Sequence, residues 1–396
     1  MTSRRLAILT LATTIAMVAP ASADVRSDIL RVAGETPIVR VVAPGGDVLL
    51  DIGGDRSFLP ASTMKVFTVL LAAKHLDMDF RFETAFFLDG ERLVVKGSGD
   101  PYLISEELDL IAGALKPKLE GRTLSGIWID DSAFEQGIVM PGVGKSERPY
   151  DALNSATAVN FNQINVKWDG SDYISAEEQT PITPLARQRA RAAGIRGEDR
   201  INLSTDPNDV RRYVSELIAA KLRQLGLRIG DQHGSSASPS SSPIYVHRNS
   251  RPLSEVCNQL LYWSNNYITN QVFLTVGAAV HGYPANLDKS LRVARSFLEE
   301  HPKLSGLKVA EGSGISYENS ATASSLIALL DLFEPHRGLL RLHEGTPHKT
   351  GTLRVSKTVI GYHDSPERGR LKFVIALDRN GYSRKWKVLK AIKKHF

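Results

Sequence analysis

The chain has 396 residues, 42% of them hydrophobic and 23% charged, with a formal net charge of +6 at pH 7. This balance excludes a membrane-embedded bundle and a disordered chain, and the length suffices for two well-formed cores. The positive charge is slight and no nucleic-acid motif accompanies it, so nucleic acid is not expected as a partner; an anionic surface is the better match.

Residues 1–23 read as an export signal. Arg4 and Arg5 precede a short apolar core from Leu6 to Val18, and Ala21-Ser22-Ala23 fits a small-residue cleavage site. The apolar run is short for a bilayer span. Cleavage after Ala23 and a periplasmic location are therefore expected. Cys257, the single cysteine, allows no intramolecular disulfide and sits in an apolar helical pattern, which reads as a buried thiol.

Two strands follow, Ile38–Val42 and Asp47–Ile52, joined by a Pro44-Gly45-Gly46 turn. A helix from about Ser62 to Leu76 is apolar on nearly all sides, as a buried helix is. Short strands are expected at Arg92–Lys96, Gly126–Asp130 and Gln163–Trp168. An amphipathic helix spans about Pro207–Leu225, capped by Thr205 or Asp206 and stopped by Gly226. The Ser-rich stretch 234–243 reads as a linker without packing residues. One long helix is expected from Ser254 to about Gly277. Strands at His348–Leu353, Ser356–Tyr362 and Leu371–Leu377 and a helix from Ser383 to Phe396 complete the chain. The order of elements suggests an α/β (α+β) fold with residues 24–83 and 246–396 forming one discontinuous domain around an inserted domain, 84–245.

Three short motifs carry the chemistry. Ser62-Thr63-Met64-Lys65 puts a hydroxyl and an amine about one helical turn apart. A serine needs a base to become a nucleophile, and a buried lysine with a depressed pKa can be that base. Ser264-Asn265-Asn266 places polar groups in the middle of the apolar helix, where they need partners. Ser264 is expected to pass a proton to a leaving amine and Asn266 to bind a substrate amide. Lys349-Thr350-Gly351-Thr352 reads as a strand flanking the site: Lys349 and Thr350 for a carboxylate, Gly351 for close approach of a ligand, and the Thr352 N–H with the Ser62 N–H as an oxyanion hole. Alone, S-x-x-K is weak, since Ser305-Gly306-Leu307-Lys308 matches it in a turn-rich stretch. All three motifs in order are specific. No metal-ligand spacing accompanies the ten histidines, so neither metal nor other cofactor is expected. The acidic groups Asp100 and Asp130-Asp131 read as solvated turn or strand-end residues.

The three motifs do not stand alone. Pro60 through Lys65, Gly97-Ser98-Gly99-Asp100-Pro101, Asp130-Asp131-Ser132-Ala133-Phe134, Glu311-Gly312-Ser313-Gly314-Ile315-Ser316 and Lys349 through Leu353 with Gly361-Tyr362 resemble the D-alanyl-D-alanine carboxypeptidase/endopeptidases of the class C low-molecular-mass penicillin-binding proteins. The resemblance implies a β-lactamase/transpeptidase-like domain, an antiparallel sheet flanked by helices and interrupted by a long insertion. It also implies action on peptidoglycan stem peptides, acylation by β-lactams, and Ser62 as nucleophile with Lys65 as base. Two positions depart from the family pattern, Glu311 where Asp is usual and Tyr317 where Arg is usual; both bear on substrate binding. A β-lactamase of the same fold is the nearest alternative, but no E-x-x-L-N pattern lies between Ser264 and Lys349. A non-catalytic penicillin-sensing or wall-binding homologue is the other. In the terminal helix, Trp386, Leu389, Ile392 and Phe396 form an apolar face expected to pack on the sheet, and Arg384, Lys385, Lys387, Lys390, Lys393 and Lys394 cover the rest, a basic remainder open to peripheral contact with an anionic membrane or wall.

Overall fold

The computed structural model describes residues 23–396; the export-signal reading, Ala23 apart, lies outside the described residues. A six-stranded antiparallel sheet runs in the order Arg341–His343, Thr346–Thr352, Lys357–Ser365, Gly369–Leu377, Ile38–Val42, Val48–Ile52. The two ends of the chain meet in its centre, where Ile38 pairs with Ala376 and Val42 with Lys372.

Strand alternation gives this sheet two apolar faces. Ile38, Val42, Ile360, Val374 and Ala376 face one way, onto a helical core. Val39, Val41, Val359, Phe373 and Ile375 face the other, onto the helices Ala23–Ala33 and Gly381–His395. The helical core is centred on Lys65–His75 and Asn266–His281. From Val66 to Ala72 the first of these is buried at every position, and the second is buried from Tyr267 to Ala278. Each large aliphatic side chain taken from water there contributes roughly 1.5–3 kcal/mol.

A second core lies around a five-stranded mixed sheet, ordered Tyr245–Arg248, Glu83–Asp89, Arg92–Gly97, Thr123–Asp130, Arg228–Ser235. The helices Ser105–Leu119 and Pro207–Gln224 bury Leu108, Ile111, Leu115, Val214, Leu217 and Leu222 against it. The amphipathic stripe and the Asp206 cap hold as read, with Asp206 Oδ1 accepting from Asn208 N at 2.9 Å. A three-stranded sheet, Tyr173–Ser175, Gln163–Trp168, Glu198–Asn202, packs nearby. No helix among the described residues is long and apolar enough to cross a membrane.

Several expectations are corrected. The helix expected over 254–277 is two, Leu253–Trp263 and Asn266–His281, because Ser264 adopts the left-handed conformation (φ 58°, ψ 37°) and Asn265 starts a new helix by accepting from Ile268 N at 3.0 Å. Apolar periodicity continues across the break and hides it. The stretch 234–243 is not free of anchors: Ser235 ends a strand, Ser236 N donates to Ile129 O at 3.1 Å and Ser238 N to Asp130 Oδ2 at 2.8 Å. Asp100 and Asp130 are buried rather than solvated. Lys385, assigned to the exposed basic face, is buried beside the Tyr382 and Trp386 rings. The helices Ser105–Leu119, Leu287–Glu300 and Ala323–Phe333 were not read from the sequence at all. Cys257 is buried, as expected, and burial raises its thiol pKa far above the usual range.

Candidate active site

The site is assembled from a helix start, a break between helices and a sheet strand. Ala61–Met64 form a 3-10 turn that runs into the helix at Lys65, so Ser62 precedes the α-helix proper. Ala61 has φ 51°, a conformation costly for a residue with a Cβ. The turn is held by its surroundings. Thr63 Oγ1 and Thr358 Oγ1 both donate to Pro60 O, at 2.7 and 2.9 Å, and Ser356 Oγ donates to Leu59 O at 2.8 Å. Strain at a nucleophile of this kind persists only where packing over-determines it.

Lys65 is wholly buried. Its Nζ lies 3.2 Å from Ser62 Oγ, 2.6 Å from Asn266 Oδ1 and 2.6 Å from Ser313 O. Burial pulls its pKa down to about 7 against the opposing pull of the Glu311 carboxylate. A large fraction is therefore neutral near pH 7 and able to take a proton. Ser62 is only half-buried, so a substrate can reach its hydroxyl.

The second pair mirrors the first. Lys349 Nζ donates to Ser264 Oγ at 2.8 Å and to Thr350 O at 3.0 Å. Burial holds the Lys349 pKa well below its ordinary value, and the like charges of Lys65, Lys385 and Arg341 push it further. Ser264 can face the site only because its backbone is left-handed, which turns its side chain out of the helical path.

The Thr346–Thr352 strand pairs Thr350 with Val359, Gly351 with Thr358 and Thr352 with Lys357. A Cβ on Gly351 would lie 2.3 Å from Thr358 Oγ1, 2.6 Å from Pro60 O and 2.9 Å from Ala61 Cβ. The protein's own Pro60–Ala61 turn thus makes an approach that already requires glycine at this position. It brings the strand against the Ser62 turn, with Thr352 at the exposed end of the strand.

The fold thus groups Ser62, Lys65, Ser264, Asn266 and Lys349 through side-chain hydrogen bonds, and borders them with Thr350, Gly351 and Thr352. Asn266 meets Lys65 through its oxygen, which leaves its Nδ2 for a substrate carbonyl. Ser305 and Lys308, the second S-x-x-K, take no part; Lys308 pairs its backbone with Ser320. Glu311 is buried and so does not bear on substrate binding directly, whereas Tyr317 is exposed. A cleft of about 690 Å³ continues beside Ser264 and Asn266, lined also by Tyr102, Phe161, Arg200 and Trp263. These last residues and Ser313 were not read from the sequence as part of the site; no local pattern marks the cleft residues, whereas Ser313 lies in the Glu311–Ser316 stretch that carries the family resemblance.

A serine poised against a buried lysine, with a second serine–lysine pair opposite, is the machinery of a serine acyl-transfer hydrolase. The D-Ala-D-Ala carboxypeptidase 3 (S13) family model matches residues 35–347, and the chain belongs to that family. It is a serine hydrolase. D-alanyl-D-alanine carboxypeptidase DacB of Haemophilus influenzae is 24% identical over 400 aligned positions, spanning 85% of this chain and 83% of the relative. A D-alanyl-D-alanine carboxypeptidase from an Actinomadura species is 22% identical over 426 positions, spanning 87% and 78%. Among solved structures, penicillin binding protein 4 of Haemophilus influenzae superposes with a TM-score of 0.70 at 20% identity over 89% of this chain and 92% of that one. A predatory peptidoglycan endopeptidase from Bdellovibrio bacteriovorus superposes with a TM-score of 0.52 at 15% identity over 90% and 91%. These superpositions establish the fold, an α/β arrangement with an antiparallel sheet flanked by helices.

Proposed function

We propose that this enzyme cleaves the peptide bond after a D-alanine in peptidoglycan stem peptides through an acyl-enzyme on Ser62. The observation that carries the reading is Lys65, buried, near neutrality in pKa and 3.2 Å from Ser62 Oγ. Lys65 takes the hydroxyl proton as Ser62 Oγ attacks the D-alanyl carbonyl. The Ser62 and Thr352 N–H groups steady the oxyanion, Asn266 Nδ2 holds the substrate amide, and Thr350 with Lys349 receives the terminal carboxylate. Ser264, hydrogen-bonded to Lys349, hands a proton to the leaving amine, and water then releases the acyl group.

β-Lactams present a comparable strained amide and acylate the same serine; a solved structure of the Haemophilus relative is a complex with a β-lactam. Glu311 has both carboxylate oxygens taken by loop donors and lies wholly buried, so it is not free to activate a deacylating water. Slow release of a penicilloyl group is expected, which disfavours the β-lactamase alternative. The cleft running from Ser264 toward Arg200 is roomy enough for an extended peptide, in keeping with endopeptidase as well as carboxypeptidase action.

Residues 84–245 are read as an inserted domain within a catalytic domain of residues 24–83 and 246–396; an apolar core drawn wholly from the insertion supports the division, while Ala133, Phe134, Met140, Ala152, Ala156 and Ala158 of the insertion pack into the catalytic core. Residues 1–23 are read as an export signal to the periplasm. On the terminal helix, Lys387, Lys390 and Lys394 remain exposed and offer a basic face to an anionic membrane or wall.

The test is incubation with purified muropeptides and, separately, with benzylpenicillin. Release of free D-alanine or conversion of cross-linked dimers to monomers, with a penicilloyl adduct on Ser62 by mass spectrometry, supports the reading. Absence of both products and of the adduct would refute it.

A further inference from the structure

The Lys65 amine has three neighbours, and their arrangement decides what it can do. A neutral amine has two N–H donors and one lone pair. Asn266 Oδ1 and Ser313 O are acceptors only, each at 2.6 Å, so they claim the two N–H groups. The lone pair is then left for the third neighbour, the Ser62 hydroxyl at 3.2 Å. One of the two carbonyls that aim the base belongs to a side chain. The other is backbone, in a loop with no regular secondary structure.

That loop is organised around one buried carboxylate. Glu311 Oε2 accepts from Ser313 N at 2.7 Å and Ser313 Oγ at 2.6 Å; Oε1 accepts from Gly314 N at 2.7 Å and Asn319 Nδ2 at 2.7 Å. The loop is also pinned to both helices of the site. Thr68 Oγ1 donates to Gly312 O at 2.7 Å, and Gly312 N donates to Asn270 Oδ1 at 3.0 Å. Gly314, at φ +82°, packs so closely on the nucleophile turn that a Cβ would lie 1.9 Å from Ala61 O. The Ser313 carbonyl thus has no freedom to turn away from Lys65 while the Glu311 carboxylate holds the N–H of the same residue.

We infer that Glu311 is a positioning residue for acylation: its carboxylate fixes the loop whose Ser313 carbonyl aims the Lys65 lone pair at Ser62, and its negative charge offsets the burial of the base. This rests on the assignment of Ser62 as nucleophile and Lys65 as base. The charged groups facing Lys65 are Glu311 from this loop, which raises its pKa against burial, and Lys349 from the sheet, whose own pKa the Lys65 charge lowers. Removing the carboxylate charge leaves burial unopposed, so the base would lose its proton at lower pH while being aimed less well.

The experiment compares wild type, Glu311→Gln and Glu311→Asp in the second-order rate of acylation by a chromogenic cephalosporin between pH 5 and 9, with thermal melting of each. For Glu311→Gln the expected result is an acylation rate at least about tenfold lower on the alkaline plateau, with the acidic limb moved to lower pH. For Glu311→Asp, which keeps the charge on a shorter stem, the limb should stay near wild type while the plateau falls by less. A purely structural role would lower the melting temperature and leave rate and limb of the folded enzyme unchanged; that result overturns the inference. Should Glu311→Gln not fold, Asn319→Ala removes one donor from Oε1 and keeps the charge: a reduced plateau with the limb in place supports the positioning role, and a wild-type plateau overturns it. Failure of the wild type itself to acylate at Ser62 would instead overturn the assignment on which the inference rests.

Discussion

Lys349 and Ser264, 85 residues apart in sequence, are joined by a 2.8 Å hydrogen bond from Nζ to Oγ. Their meeting depends on a single left-handed residue, since Ser264 at φ 58° is what separates two helices and lets its hydroxyl reach the sheet. Ser264→Gly suits that backbone better than serine does, yet removes the hydroxyl. Its melting temperature should equal or exceed that of the wild type, while acylation and peptide cleavage fall by about 10²- to 10⁴-fold. Paired melting curves and β-lactam labelling rates check this; retained activity would remove Ser264 from the proton path.

The base at Lys65 predicts a pH profile. Its pKa of about 7 means that the neutral, proton-accepting form grows as pH rises through 7. Acylation by a β-lactam should therefore climb over roughly pH 6 to 8 and then level. Stopped-flow rates across that range test it, and a flat profile would count against lysine as the base.

The same burial affects stability. The unfolded chain keeps the lysine proton up to its ordinary pKa of 10.5, whereas folded Lys65 releases it near 7. Between those values the unfolded state binds more protons, so the Lys65 contribution to stability should rise with pH from about 7 to 10.5. The depressed pKa of Lys349 acts in the same direction. Urea unfolding of wild type and Lys65→Met at pH 7 and 9 checks this: the wild type should gain on the variant at the higher pH.

Gly351 carries a steric prediction. Gly351→Ala brings a Cβ into Pro60 O, Ala61 Cβ and Thr358 Oγ1, so the strand and the nucleophile turn must separate. Destabilisation of about 1–3 kcal/mol is expected, along with slower acylation, because the displaced turn carries Ser62. Chemical denaturation and labelling rate measure the two effects; wild-type values for both would mean that the turn adjusts freely.

The exposed lysines of the terminal helix give a separate prediction. Lys387, Lys390 and Lys394 are exposed, whereas Lys385 is buried and Lys393 reaches Glu344 O at 3.2 Å. Binding to vesicles rich in anionic lipid should weaken at high salt and in a Lys387→Glu, Lys390→Glu, Lys394→Glu variant. A sedimentation assay that finds no binding at low salt would dismiss the contact.

Much of the site was legible as local pattern. Ser62 and Lys65 are three residues apart, so helical geometry alone sets them side by side, and the apolar run Val66 to Ala73 announces that their helix is buried. Ile38–Val42 and Leu371–Leu377 were likewise legible as strands, but not that they pair at the centre of the main sheet. The break at Ser264 escaped because hydrophobic periodicity does not register one left-handed residue. Gly351 was recognised as a position of close approach, but not what approaches it, because the Pro60–Ala61 turn lies far away in the chain.

The residue chemistry is therefore set by the sequence itself: a serine, two lysines, an asparagine and their order, with the buried helix that makes an amine a base. Only the tertiary structure decided how those groups are aimed. The Ser313 carbonyl points at Lys65, Lys349 finds Ser264, and Glu311 turns inward to hold a loop rather than outward to hold a ligand. The reason is physical. Burial and hydrogen bonds between distant segments fix which way each lone pair and N–H points, and no short-range pattern encodes contacts made across the fold.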